Sequence, residues 1–277
     1  SSVKSVAKIM DCEVIVVPTN EKYQLKASLI SHEMNSNVKY SNLAVFAVVA
    51  TAGTTNLGVI DDIDSVASYT EKNNYWLHVD GAYGGAGLLS PKVRNLYKGI
   101  EKANSFIVDP HKWLFAPVDC AAIIYRDESM AVEAHSQKAS YLDVLHENDE
   151  GCNPSDFAFH LTRRARGLPL WFSLSIYGVK EYRESVEHSL EVANYAADKI
   201  RTLPYLNLFM DPVLSIVVFE RLNWSWENYN AWSKEQLRNQ LCFVVPSVID
   251  EKPVLRFAFL NPETSNSMVD EILQSLG

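Results

Sequence analysis

The chain has 277 residues, 47% of them hydrophobic and 21% charged, a globular balance that excludes disordered and collagen-like classes. Its formal net charge is −9 and it has no block of Lys and Arg, which argues against nucleic-acid and anionic-membrane partners. The longest apolar run, Leu43–Ala52, is too short to span a bilayer.

In the first 125 residues, short apolar runs alternate with polar stretches that have a helical pattern. Short apolar runs predict strands at Val14–Val17, Leu43–Ala50, Tyr75–Val79, Phe106–Val108 and Ala121–Tyr125. Helices are predicted at Leu25–Met34, Ile60–Asn73 and Lys92–Ala103. The run from residue 43 lacks polar alternation, so we expect burial on both of its faces. Asp61, Asp62 and Asp64 would load the first turn of the second helix with favourable negative charge. The alternation indicates an α/β fold with a largely parallel sheet.

The pattern changes after residue 129. Tyr141–Phe157 is a long polar segment, typical of a lid or active-site loop. A long helix, Leu170–Leu203, follows it. Closely spaced elements then predict a small α+β domain, with strands at Ser215–Phe219, Cys242–Val248 and Val254–Phe259 and helices at Asn228–Gln240 and Pro262–Leu276. We therefore predict a large domain at 1–165, with a catalytic loop near 141–157, and a linker helix with a small C-terminal domain at 166–277.

The cysteines form no C-x-x-C pair, so they indicate neither a zinc ribbon nor a disulfide framework; they are Cys12, Cys120, Cys152 and Cys242. Lone buried thiols in a reducing, cytoplasmic setting are the simpler interpretation. The chain begins without Met and without an apolar leader, inside a predicted amphipathic helix, which suggests a fragment or a processed chain.

The sharpest chemical feature is Lys112, in the run Asp109-Pro110-His111-Lys112-Trp113. It follows a predicted strand and precedes apolar residues, so we expect it to be buried. Burial disfavours the ammonium form, and a neutral amine can form a Schiff base with an aldehyde. The alternative is a lysine whose stem packs on Trp113 while its charge stays in water.

Asp80 ends another predicted strand, in the run His78-Val79-Asp80-Gly81-Ala82. Ligands of parallel α/β sheets gather beyond the carboxyl ends of strands. A carboxylate there can keep the ring nitrogen of pyridoxal phosphate protonated, and Asp80 and Lys112 could then reach one pocket. The alternatives are a helix N-cap and, since His78 shares a strand face with Asp80, a metal pair without a third ligand at suitable spacing.

A third segment, residues 50–58, follows the predicted strand at 43–50 with small and hydroxyl residues, among them Thr51. Such residues suit contacts to a cofactor ring or phosphate. Alone the signal is weak, because runs of Gly, Thr and Asn are usually turns.

Together these segments resemble the group II pyridoxal-phosphate-dependent amino-acid decarboxylases, the family of aromatic-L-amino-acid and glutamate decarboxylases. The resemblance runs nearly end to end through ATAGTTNLG, HVDGAYGG, DPHKW, SYL, LTRRARGLPLW and VLRFAFLNP, in that order. It implies a fold-type I, PLP-dependent transferase-like large domain, here partial, with a small C-terminal α+β domain. The implied cofactor is pyridoxal 5'-phosphate.

The resemblance also implies a role for each matched position. Lys112 would be the Schiff-base lysine, Asp80 the partner of the pyridine nitrogen, and Ala82 would lie against one ring face. Thr51 would lie near the ring substituents or the substrate carboxylate. His111 and Asp109 would lie near the phosphate, although the aromatic decarboxylases often have Asn at the position of Asp109.

The polar loop matches as well. By resemblance, Tyr141 is the loop tyrosine that protonates the substrate carbon, whereas a phenylalanine there is associated with aldehyde-forming relatives. A packing role at a loop hinge is the alternative for Tyr141. His146 is a second, weaker candidate proton donor. Arg163, Arg164 and Arg166 would orient a carboxylate or a loop, or form surface ion pairs.

The resemblance begins late in the family pattern, just after the position of the stacking aromatic ring. It therefore implies an N-terminal portion of the same protein as a separate chain, and a homodimer of the complete enzyme. The implied reaction is decarboxylation of an L-amino acid, aromatic or otherwise neutral, to the amine and carbon dioxide. Alternatives are an aldehyde synthase, a carbon–sulfur lyase, a glutamate or aspartate decarboxylase, and a silent half-protein.

Overall fold

The computed structural model describes residues 2–40, 42–136 and 153–277. Its helices are α1 Ser2–Ile9, α2 Ala27–Ser36, α3 Ile63–Asn73, α4 Glu128–His135, α5 Leu168–Thr202, α6 Trp226–Arg238 and α7 Asn266–Gln274. Its strands are β1 Ala47–Thr51, β2 Trp76–Asp80, β3 Ser105–Val108, β4 Ala122–Tyr125, β5 Leu206–Leu208, β6 Ile216–Arg221, β7 Ser247–Ile249 and β8 Lys252–Ala258. These elements confirm the predicted α/β class.

The first sheet has the order β1-β2-β3-β4. Strands β1, β2 and β3 are parallel, and β4 is antiparallel to β3. Helix α3 connects β1 to β2 and packs on both strands. A largely parallel sheet of this kind brings the carboxyl ends of three successive strands to one edge.

The second sheet, β5-β6-β8-β7, is antiparallel throughout. Helix α5 is interrupted at Gly178, where φ is 76°, and its later part packs on β5, β6 and α7. Val186 and Leu190 of α5 belong to the same core as Leu214 and Ile216 at the start of β6 and as the residues of the first sheet. The two sheets therefore share apolar packing, and the domain boundary at residues 165 and 166 stays a prediction.

Two predicted elements do not form as expected. Val14–Val17 is not a strand: Val16 is 63% exposed, and Val17 packs against the core without pairing to a sheet. The predicted helix Lys92–Ala103 is two 3-10 turns, Arg94–Tyr97 and Ile100–Lys102. Gly99 separates those turns with φ 92°, and a Cβ there would lie 2.5 Å from the Asp64 Cα.

Two further corrections concern the border strands of the two sheets. The strand predicted at Cys242–Val248 is confined to β7, three residues at the border of the second sheet. The run predicted to be buried on both faces forms β1, the border strand of the first sheet, in which Ala50 is buried and the other residues are half buried. None of the described helices is both long enough and apolar enough to cross a membrane.

Candidate active site

The candidate site is the edge of the first sheet where β1, β2 and β3 end. Thr51 pairs with Asp80, and Asp80 pairs with Ile107, so the three strands end in register. Backbone hydrogen bonds continue past the strands, from Ala52 N to Asp80 O (2.7 Å) and from Asp109 N to Ala82 O (3.0 Å). The loops that carry the predicted site residues are thus joined side by side.

Asp80 presents its carboxylate at this edge. Its Oδ1 accepts a hydrogen bond from the Ala82 N–H at 3.0 Å, which fixes the carboxylate over the start of the following loop. Within the part of the chain that the structure describes, its Oδ2 has no hydrogen-bond partner. An acceptor oxygen held at the end of a parallel strand suits a protonated ring nitrogen, as the cofactor prediction requires.

Lys112 lies at the same edge but is not buried as predicted. Its side chain is 39% exposed, and its Nζ lies 2.8 Å from Asp109 Oδ2. The Asp109 carboxylate is 13% exposed, and the Lys112 N–H also donates to the Asp109 carbonyl at 2.9 Å. The lysine is therefore held by a carboxylate three residues earlier, and the apolar position belongs to Trp113, which is fully buried.

His111 is held by the Cys120 peptide. The Cys120 N–H lies 3.1 Å from His111 Nδ1, and the Cys120 carbonyl lies 2.5 Å from the same nitrogen. One ring nitrogen either accepts or donates, so only one of these contacts is a hydrogen bond at a time. The other nitrogen, Nε2, lies 4.0 Å from Asp109 Oδ2. His111 thus lies between a backbone peptide and the carboxylate that binds Lys112.

Thr51 is fixed through Asp61, a residue whose role the sequence did not reveal. The Asp61 carboxylate is 6% exposed and accepts from the N–H groups of Thr51 (2.6 Å) and Leu25 (2.7 Å). It precedes α3 and does not belong to its first turn, where Asp62 caps the helix and Asp64 binds Lys98 and Lys102. Burial raises the pKa of the Asp61 carboxyl, and its two N–H donors oppose that shift.

His78 is bonded to serine on the neighbouring strand. Ser105 Oγ lies 2.8 Å from both Trp76 Nε1 and His78 Nδ1. Because an indole nitrogen only donates, Ser105 Oγ accepts from Trp76, and the direction of its hydrogen bond with His78 Nδ1 depends on the histidine tautomer. Burial lowers the pKa of His78, against the charge of Asp80. The neutral imidazole therefore has its Nδ1 committed to a serine.

Beside Lys112 the structure contains a buried donor without a partner. The Trp113 indole stacks on Tyr83, with ring centroids 5.2 Å apart and an interplanar angle of 18°. Its Nε1 is buried and has no hydrogen-bond partner among the described residues. A buried donor without a partner, next to Lys112, is typical of a site that is completed by a further group.

The arginines that follow the polar loop bind a carboxylate of this chain. Arg164 Nη2 donates to Asp119 Oδ1, and Arg166 Nε lies 2.8 Å from Asp119 Oδ2. Arg163 instead donates to the Pro154 carbonyl. The contact of Asp119 with Arg164 could not be predicted from the sequence, because the two residues are 45 positions apart and lie in no common motif. Tyr141 and His146 lie outside the described residues.

One cavity lies away from this edge. It has a volume of about 400 Å³ and is lined by residues that include Trp76, Asn104 and Arg126, where β2 and β3 begin. That is the opposite edge of the sheet from Lys112. None of the predicted site residues lines it, and functional sites of parallel sheets lie at the carboxyl ends.

A family model matches most of the chain. Residues 1–222 match the family model described as the pyridoxal-dependent decarboxylase conserved domain. The chain belongs to this family. Since the family is pyridoxal-dependent, the predicted cofactor is confirmed at that level, and the amine, the carboxylate and the orphaned indole at the edge fit it.

The relatives differ in substrate. The chain is 26% identical to an aromatic-L-amino-acid decarboxylase of Bacillus atrophaeus over 95% of this chain and 56% of that protein. It is 29% identical to a histidine decarboxylase of Rattus norvegicus over 99% of this chain and 41% of the relative. A solved glutamate decarboxylase domain of a Vibrio parahaemolyticus diaminobutyrate enzyme is 28% identical, with a TM-score of 0.81, over 99% of this chain and 55% of the other. The chain thus spans about half the length of these relatives.

Proposed function

We propose that this chain belongs to a pyridoxal-phosphate-dependent carboxy-lyase and provides its cofactor-binding lysine, Lys112. The enzyme would convert an L-amino acid with an aromatic or other neutral side chain to its amine and carbon dioxide. The observation that carries the proposal is the joining of Asp80 and the Asp109–Lys112 pair at one sheet edge. There, Ala82 accepts from the Asp109 N–H and donates to the Asp80 carboxylate.

When bound, pyridoxal phosphate supplies an electron sink for the charge that develops as carbon dioxide leaves. Lys112 would hold the cofactor through its amine, and Asp80 would hold a proton on the ring nitrogen through its second carboxylate oxygen. Ala82 adds only a methyl group beside Asp80, which leaves room for a flat ring. Thr51, fixed through its N–H by Asp61, would orient a substituent or the substrate carboxylate.

The contacts support different roles for the two residues predicted near the phosphate. Asp109 binds the Lys112 ammonium at 2.8 Å, and an anionic side chain would repel a phosphate. We therefore assign Asp109 to holding the lysine in place until it reacts. A histidine N–H can donate to a phosphate, so His111 is the better phosphate neighbour of the two, with its Nε2 4.0 Å from Asp109 Oδ2.

Tyr141 is proposed as the proton donor to the substrate carbon after carbon dioxide leaves. This assignment depends on the SYL match alone. Replacement of Tyr141 by Phe is expected to divert the product from amine to aldehyde in the complete enzyme. An unchanged amine yield would remove Tyr141 from that role.

The lysine is tested in the complete protein with Lys112→Ala. We expect loss of the cofactor-dependent absorbance near the visible edge and loss of turnover, because Lys112 is the amine that Asp109 holds at this edge. Lys92→Ala is the matched control, since Lys92 pairs with Glu187 and Glu191 away from the site. Retention of both absorbance and turnover in Lys112→Ala would show that the assignment is wrong.

The proposed substrate class is supported by the aromatic and histidine decarboxylases among the relatives. An amine-release screen over the common amino acids tests it. Highest turnover with an aromatic or other neutral amino acid is expected. Highest turnover with glutamate, aspartate or diaminobutyrate would contradict the proposal.

We also propose that the complete, cytoplasmic enzyme is a homodimer that includes an N-terminal portion of the same protein as a separate chain. Support comes from the length of the relatives and from the start of α5, where Trp171, Phe172 and Ile176 are 60%, 55% and 74% exposed. Exposed apolar side chains of this size on one helix are typical of an interface. Light scattering of the complete protein tests the dimer, and a monomer would refute it.

A further inference from the structure

Asp119 has both carboxylate oxygens engaged by arginines that are distant in sequence. Arg164 donates to Oδ1, and Arg166 Nε lies 2.8 Å from Oδ2. We call these three side chains the Asp119 clasp. It joins the loop before β4 to the segment that leads into α5.

The clasp lies directly beside the peptide that holds His111. Cys120 follows Asp119, and its N–H and carbonyl both face His111 Nδ1, at 3.1 and 2.5 Å. The His111 backbone N–H also donates to the Cys120 carbonyl at 3.3 Å. A shift of the chain at Asp119 would therefore move the groups that set the ring orientation and the tautomer of His111.

The clasp contributes little to folding. The side chains of Asp119, Arg164 and Arg166 are 46%, 71% and 39% exposed, and ion pairs in such positions add little to stability. Charge-assisted bonds to both oxygens of one carboxylate nevertheless fix its direction strongly. The contacts thus have the geometry of an orienting device more than that of a stabilising one.

We propose that Asp119 is a positioning residue which, held by Arg164 and Arg166, fixes the Cys120 peptide and through it the His111 ring at the cofactor edge. The inference rests on the proposed function, because that function assigns His111 to the cofactor. It also gives Arg164 and Arg166 a specific role, since the carboxylate that they orient is the one of Asp119.

The test uses the complete protein with the variants Asp119→Asn, Arg164→Gln and Arg166→Gln. Arg163→Gln is the matched control, because Arg163 contacts only the Pro154 carbonyl among the described residues. Pyridoxal phosphate is titrated by absorbance. Nitrogen-15 histidine NMR of the cofactor-free protein, with the His111 signals identified by His111→Gln, reports the ring independently of activity.

Asp119→Asn and Arg166→Gln are expected to bind the cofactor about 3- to 10-fold more weakly and to shift the Nδ1 signal of His111. The variant that combines these two changes is expected to lose little more than Asp119→Asn alone, because both changes break one interaction. Arg163→Gln should match the wild type in both measurements.

Two failures can be told apart. A wild-type protein that neither binds pyridoxal phosphate nor releases an amine would refute the proposed function, while the His111 signals would still report on the clasp. A wild-type protein that binds the cofactor, together with clasp variants of unchanged affinity and unchanged His111 signals, would refute the positioning role. Should Asp119→Asn fold poorly, the exposed Arg164 and Arg166 variants decide the question.

Discussion

Replacement of Asp61 by Asn tests how the buried carboxylate supports the site. Asp61 accepts from the N–H groups of Leu25 and Thr51, one on each oxygen. An asparagine has one acceptor oxygen and an NH₂ group, so one of the two N–H groups loses its acceptor. A buried donor without a partner costs about 1–3 kcal/mol, which is the destabilisation expected for Asp61→Asn.

The pH dependence gives the sharper part of this prediction. Burial raises the pKa of Asp61 in the folded protein, so the folded state holds the proton more tightly than the unfolded chain. The contribution of this group is then fully present below its unfolded pKa, about 3.9, and is lost as pH rises through the folded pKa. Asparagine does not titrate, so the stability gap between wild type and Asp61→Asn should narrow as pH rises.

Urea unfolding at steps from about pH 4.5 to about pH 8 measures the gap. Asp62→Asn is the control: Asp62 caps α3 by accepting from the Ser65 N–H, and asparagine caps equally well. A gap that widens with rising pH would show that the two N–H donors outweigh burial. That result would refute the reasoning about Asp61.

Two further substitutions test the packing around the edge. Tyr83→Phe removes the hydroxyl that lies 2.7 Å from Ser215 Oγ and accepts from the Ser215 N–H at 3.0 Å, and we expect a loss of about 1–3 kcal/mol in urea unfolding. Unchanged stability would contradict it. Gly53→Ala is expected to cost at least about 1–3 kcal/mol, because φ is 103° and the new Cβ would lie 2.6 Å from the Gly84 Cα. Gly167→Ala, where nothing lies within 4 Å, should change thermal stability little; equal effects would refute the steric argument.

The placement of Asp80 and Lys112 at one end of the sheet could be predicted from sequence because it depends on local order. Asp80 ends an apolar run, and Lys112 lies just beyond another, so the rule that parallel strands end at one edge was enough to bring them together. The exposure of Lys112 could not be predicted in the same way. Its neighbour Trp113 takes the buried position, and the hydrophobic pattern of a loop does not show which of two adjacent residues faces the core.

The supports of the site were hidden because they depend on contacts distant in sequence. With Asp62 and Asp64, Asp61 was predicted to place negative charge in the first turn of a helix. Its contact with the Leu25 N–H, 36 residues away, shows instead that it is a buried hydrogen-bond acceptor. Gly99 is a different case. Its position inside the predicted helix at Lys92–Ala103 was readable as a helix breaker, and its approach to the Asp64 backbone explains why no larger residue fits.

One buried tyrosine links the second sheet to the lysine edge. Tyr83 stacks on Trp113, the residue after Lys112, and its hydroxyl binds both polar groups of Ser215, just before β6. Ser215 is fully buried, and burial also raises the pKa of Tyr83, so this phenol remains a neutral partner across the physiological range. Tyr83 therefore joins the start of β6, through Ser215, to the residue that follows Lys112.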